Sequence, residues 1–145
     1  MTAARRSPDL PRPALVGLAA LAGPRVVLHD LGIVEEGSLV NGLLVVVPPA
    51  VWIAVVLWHR PPRPFRTVVV IGAIYGVFLA VGHQLLWRAA LPADVDLAVP
   101  EFALRAAAVA SSLVTGTLVG VVAGAVAVAL CRVVPARDGA AGRGA

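Results

Sequence analysis

Residues 106–131 read AAAVASSLVTGTLVGVVAGAVAVALC, 26 consecutive positions without a charged side chain. About 20 apolar residues suffice to cross the hydrocarbon core of a bilayer as a helix. A run this long and this free of charge therefore reads as a membrane span. With its flanks it covers 102–134, more than a perpendicular crossing needs, so the helix has to tilt or project from the bilayer. Working outward, three further runs share its character, at 67–88, 39–58 and 14–34. The run at 14–34 is the weakest, because Gly23-Pro24-Arg25 and His29-Asp30 interrupt it. The expected fold is an all-α membrane protein, a four-transmembrane-helix bundle formed by a single domain over 14–134. The tails, 1–13 and 135–145, are rich in Pro, Gly, Ala and Arg and are expected to be disordered, having too little apolar surface to bury.

Composition supports this reading. Hydrophobic residues make up 59% of the 145 positions and the mean hydropathy is +0.91. Soluble domains are nearer about 45–50% apolar. The formal charge is +4, but the arginines are short flanks of apolar runs and aromatic residues are few, which argues against nucleic acid as a partner. The charges alternate from one connection to the next. Arg5, Arg6 and Arg12 lie in the N-terminal tail, Asp30, Glu35 and Glu36 around the first loop, and Arg60, Arg63 and Arg66 in the second. Asp94, Asp96 and Glu101 follow in the third, and Arg132, Arg137 and Arg143 at the C-terminal end. Nine of the twelve arginines thus fall on one side, and the positive-inside rule makes that side, with both termini, cytoplasmic. Trp58 and Trp87 fall at opposite interfaces. Lysine is absent and Ala, Arg, Gly, Pro and Val are heavily used, a composition typical of GC-rich bacterial coding. The expected location is a bacterial cytoplasmic membrane. A competing reading makes 1–22 a cleaved signal peptide, with Ala20-Leu21-Ala22 as the small-residue site, leaving three spans and an outside N-terminus.

The expected packing follows from spacing. In lipid no hydrophobic force draws helices together, so small residues that let backbones approach mark the contact faces. Ala108, Ser112, Gly116, Gly120 and Gly124 recur every four residues in the last run, and Gly72, Gly76 and Ala80 do so in the third. These stripes are expected to pack on each other or across an interface between copies. Pro48-Pro49 in the second run withholds two N–H groups from the carbonyls of Leu44 and Val45, and a hinge or kink is expected there.

Polar residues inside a span are costly and require partners or a function. Arg25, His29, Asp30, Asn41, His83, Gln84 and Arg105 gather toward the extracytoplasmic end, while the opposite half is almost wholly apolar. The expectation is a polar cluster there. It is satisfied either internally, with Arg25 on Asp30 or a first-loop glutamate and His83 on a carbonyl of the second helix, or by a ligand, ion or proton. Arg105 and Glu101 are i,i+4 partners on the face of the glycine stripe. His29 and His83 lie at matched depth on different helices, which allows axial ligation of a haem. No zinc motif, Walker loop, dinucleotide fingerprint or serine elbow occurs, so no enzyme is expected. Cys131 is the single cysteine, which excludes an intrachain disulfide. The leading functional expectation is a non-catalytic accessory subunit in the bilayer that packs through the Gly/Ala/Ser stripes on a second copy or on another membrane protein. An oligomeric transport protein and a haem or metal carrier are the alternatives.

Overall fold

The computed structural model describes residues 9–35, 37–90 and 99–134. Its elements are α1 (Arg12–Ala20), α2 (Gly23–Asp30), α3 (Leu39–His59), α4 (Pro64–Leu85), α5 (Trp87–Ala90) and α6 (Glu101–Val133). Among the described residues there is no strand, and α3, α4 and α6 are each long and apolar enough to cross a membrane. Residues 1–8 of the expected N-terminal tail, the tail at 135–145, and the loop acids Glu36, Asp94 and Asp96 lie outside the described residues.

The first apolar run is not the single helix expected over 14–34. α1 starts at Arg12 and places Pro13 in its first turn, where a missing N–H has no intrahelical partner to lose. Pro24 then has no N–H for the carbonyl of Ala20, and its ring crowds that carbonyl. The chain breaks at Leu21-Ala22, the Ala22 N–H bonds the Ala19 carbonyl at 3.2 Å, and α2 begins at Gly23. α2 stops at Asp30, short of residue 34, because Gly32 takes the left-handed conformation at φ +66°. The Gly32 N–H bonds the His29 carbonyl and the Ile33 N–H the Leu28 carbonyl, both at 2.9 Å, which closes the helix end in a Schellman turn.

The break at Ala22 leaves the Leu18 carbonyl without its usual i+4 donor. The indole Nε1 of Trp52, on α3, donates to it at 2.7 Å. Trp52 is fully buried and meets the ring of Tyr75, on α4, edge-on at 5.9 Å between centroids. One side chain thus ties α1, α3 and α4 together. α1 and α2 run beside α4 in the same direction. Leu15, Val16, Thr67 and Val70 line one groove near one end, and Val26 lies against Gly82 near the other.

α4 and α6 form the tightest pair and run antiparallel. The two small-residue stripes face each other within the chain. A Cβ added at Gly72 would lie 2.5 Å from the Gly116 carbonyl oxygen and from Gly120 Cα, and one at Gly116 would run into the backbone of Gly76. Gly76 stands over the Ser112 carbonyl, and Gly124 over the ring of Phe65. Gly72, Gly76, Ala80, Ser112, Gly116, Gly120 and Gly124 are all buried, and Ala108 is half-buried. At the α3–α4 turn, Arg60 takes φ 50° and its guanidinium donates to the carbonyls of Cys131 (2.7 Å) and Val134. A cation there meets carbonyls at the C-terminal end of α6, where the helix dipole is negative. α3 continues as one helix through Pro48 and Pro49, with Pro48 buried.

Replacing Gly116 or Gly72 by Leu is expected to lower the midpoint of unfolding in detergent by the equivalent of at least about 1–3 kcal/mol, the usual penalty of overpacking. Gly42→Ala, where an added Cβ meets nothing within 4 Å, is expected to be neutral or to stabilise by roughly 0.5–1 kcal/mol. A Gly116→Leu variant as stable as the parent would remove this account of the packing.

Candidate functional site

The polar residues expected to cluster lie at the end of the bundle remote from the α3–α4 turn, and the structure divides them into three contacts. Arg25, in α2, donates through Nε to Asn41 Oδ1, in the first turn of α3, at 3.3 Å. The Asn41 N–H is itself capped by Ser38 Oγ at 3.2 Å, so the α3 N-terminus holds the acceptor in place. Asp30, the last residue of α2, accepts from His83 Nδ1 of α4 at 2.7 Å. Asp30 is the deeper partner, its side chain 6% exposed against 33% for His83.

The third contact joins α4 and α6. Gln84 Nε2 donates to the Arg105 carbonyl at 3.3 Å, and Arg105 Nη2 donates to the Gln84 carbonyl at 3.4 Å. The same guanidinium lies 3.6 Å from Glu101 Oε1 and 5.3 Å above the ring of Trp87. Arg88 lies 3.8 Å from the other oxygen of Glu101. The Arg105 pair is half-exposed and Arg88 is almost fully exposed, so each pair contributes at most about 1 kcal/mol and their effect is mainly to fix the entry into α6.

Two expected pairings differ in the structure. Arg25 meets neither Asp30 nor Glu35 but Asn41, and His83 meets Asp30 rather than a carbonyl of α3. Helical geometry explains both. Arg25 and Asp30 are five residues apart, about 140° around the helix axis at 100° per residue, so they face different neighbours. The Schellman turn at Gly32 ends α2 with Asp30 aimed at α4. His29 and Asp30 line an open recess beside Leu31, Gly32 and Ala89.

The chemistry available at this end is limited by these commitments. A carboxylate on Nδ1 sets the tautomer of His83 and leaves Nε2 as the nitrogen able to bind a metal or a proton. A haem shared with His29 would have to use that atom. Among the described residues no group of three or more His, Cys, Asp or Glu side chains gathers in a way that could hold a metal ion. Ser111 and Ser112 both donate to the Ala108 carbonyl, at 3.2 and 2.7 Å, and so bond back along their own helix. Trp87 beneath Arg105 and the Ser38 cap on Asn41 went unrecognised in the sequence, the first because α5 and α6 meet only in three dimensions. Ser38 directly before an apolar run carried the N-cap signal that could have located it. No protein-family model, no curated protein and no solved structure matches this chain.

The Asp30–His83 contact should register as energetic coupling. In a cycle of Asp30→Ala, His83→Ala and the double variant, unfolding in detergent is expected to give an interaction energy of about 1–3 kcal/mol, the range of hydrogen bonds to charged groups. Strict additivity of the two single effects would show that the pair contributes nothing.

Proposed function

We propose that this chain is a non-catalytic accessory subunit of a bacterial cytoplasmic membrane, crossing it four times with both termini on the cytoplasmic side. It would bind an apolar helix of another membrane protein in the groove between α3 and α6. The groove is the observation that carries this reading. It is lined by Pro49, Ala50 and Ala123 among Val46, Ile53, Leu118, Val119 and Val122, with a volume of about 470 Å³ and almost no polar surface. Small residues in a lipid-facing groove permit close approach of another backbone. The glycine stripes are already covered by each other, whereas only 17% of the apolar window of α3 is buried within the chain. The polar residues at the Asp30 end favour a static role, because Arg25, His83, Gln84 and Arg105 are paired helix to helix and, among the described residues, no charged side chain lies on the helices between that end and the arginines near the α3–α4 turn.

The fourth crossing is supported by the course of α1 and α2 along α4. Their 19 positions, Arg12 to Asp30, span about 28 Å at 1.5 Å per residue, close to the roughly 30 Å of a hydrocarbon core. The arginine distribution supports the orientation. A reporter that is active only in the cytoplasm should give signal from fusions at both termini, and signal at one terminus alone would reduce the crossings to an odd number.

A second reading, an oligomeric carrier of a proton, ion or small solute, is favoured by one observation: Asp30, which holds His83, borders an open recess together with His29. The two readings separate experimentally. A photo-crosslinking residue at Val46 or Val122 should capture a discrete membrane protein, and one at Val77, exposed on α4, should capture only lipid. Ala50→Trp should abolish co-purification of that protein in mild detergent. Absence of any protein adduct from the groove, together with flux in reconstituted vesicles that Asp30→Asn abolishes, would replace the accessory reading by the transport reading.

A further inference from the structure

At the Arg63 end of α4 a second groove lies between α1 and α4, and its lining changes character with depth. Arg12, Arg63 and Arg66 stand at its mouth, and Leu15, Val70 and Ile74 line it further down, with a volume of about 580 Å³. From Arg66 to Ile74 the helix descends about 12 Å, so the apolar part reaches well into the depth of one leaflet. Asp9 is the one carboxylate at the mouth, against three guanidiniums. The three arginines are solvent-exposed, and no hydrogen bond or ion pair engages their side chains among the described residues. The other arginines that contact a second element are committed: Arg25 to Asn41, Arg60 to the end of α6, Arg88 to Glu101, and Arg105 to Gln84 and Glu101.

We propose that this groove is a binding site for one anionic phospholipid, its phosphate held by Arg12, Arg63 and Arg66 and an acyl chain lying along Leu15, Val70 and Ile74. Guanidinium forks match phosphate oxygens, and basic pockets between helices at a membrane surface select anionic headgroups. Charge complementarity at the mouth and an apolar lining at acyl depth together specify an amphiphile with a negative head. A soluble anion would use only the upper part of the site, and a neutral lipid only the lower. The proline-stiffened segment from Pro61 to Pro64 holds Arg63 beside the start of α4, so the cationic rim is built before the lipid arrives. The site depends on the chain lying in a membrane, and it is independent of the partner proposed for the α3–α6 groove.

Native mass spectrometry of the full chain in mild detergent, titrated with phosphatidylglycerol or phosphatidylcholine, tests the site. One phosphatidylglycerol should be retained per chain, with phosphatidylcholine retained at least tenfold less. The triple variant Arg12→Gln, Arg63→Gln, Arg66→Gln should lose phosphatidylglycerol at least tenfold, and Ile74→Trp, which fills the groove without changing charge, should do the same. Arg132→Gln, on the same side of the bundle but outside the groove, should leave retention unchanged. Circular dichroism and the emission of buried Trp52, compared in the triple variant, verify that it is folded. Equal retention of both lipids, undiminished retention in either groove variant, or displacement by millimolar inorganic phosphate would overturn the proposal. Extraction of the chain from membranes by alkaline carbonate would instead remove the membrane placement itself, a result that lipid retention in detergent does not influence.

Discussion

The contact between α4 and α6 is made of backbone rather than side chains, and the remaining elements are arranged around that fact. In water, apolar side chains would drive two such helices together. In a bilayer the tails of the lipid are as apolar as leucine, and association has to come from dispersion at short range and from the geometry that permits it. A Cβ at Gly72 or Gly116 would overlap the facing backbone, and one at Gly76 or Gly120 would lie only 3.0 Å from it. The two helices therefore approach until their backbones touch, and this fixes their register to a single turn. α1, α2 and α3 pack around a pair whose relative position is already determined.

A second rule of the bilayer, that no backbone polar group can be left to water, accounts for the side chains that hold those other elements. The interruption at Gly23-Pro24 frees the Leu18 carbonyl, an acceptor that costs several kcal/mol if left unmet in an apolar interior, and buried Trp52 supplies the donor. The end of α6 exposes its own last carbonyls, and Arg60 takes two of them. Ser38 caps the start of α3. The links made by Trp52 and Arg60 are thus also repairs of helix ends. The number of such repairs follows from how often proline and glycine interrupt the runs.

The three long helices were legible because each is a run of about 20 or more residues with almost no charge, a signal that depends on composition and not on partners. The stripe at every fourth residue was legible for the same reason: it is a property of one helix. What could not be read was anything decided between helices. Arg25 and Asp30 look like natural partners in sequence, yet they face apart once wound onto α2. The end of α2 at Asp30 depends on Gly32 taking a positive φ, and a glycine in an apolar run does not announce that choice. The break at Ala22 was half legible, since Gly23-Pro24 was visible as an interruption, but its consequence for Leu18 required knowing where Trp52 lies.

The two ends of the bundle use charge in opposite ways, and this contrast bears on function more than either end alone. At the Asp30 end four basic side chains have partners on a neighbouring element: Arg25 on Asn41, His83 on Asp30, Arg88 on Glu101 and Arg105 on the Gln84 carbonyl. Polar groups satisfied in this way hold helices in position and leave little free energy for a passing solute. At the Arg63 end, three guanidiniums face one another's repulsion with a single carboxylate for company. Like charges brought together without internal partners are stable where the surroundings supply the counter-charge, and for a chain in this setting the nearest abundant counter-charge is lipid phosphate. A conduit would require the reverse arrangement, with uncommitted polar groups along the interior and an unbroken path between the ends. The interior here is instead filled by Val68, Ile71, Tyr75 and Leu79 of α4 together with Trp52 and Val56 of α3 and Ala19, Ala22 and Val26 of the first run. That filling favours surfaces, rather than a passage, as the functional parts of the molecule.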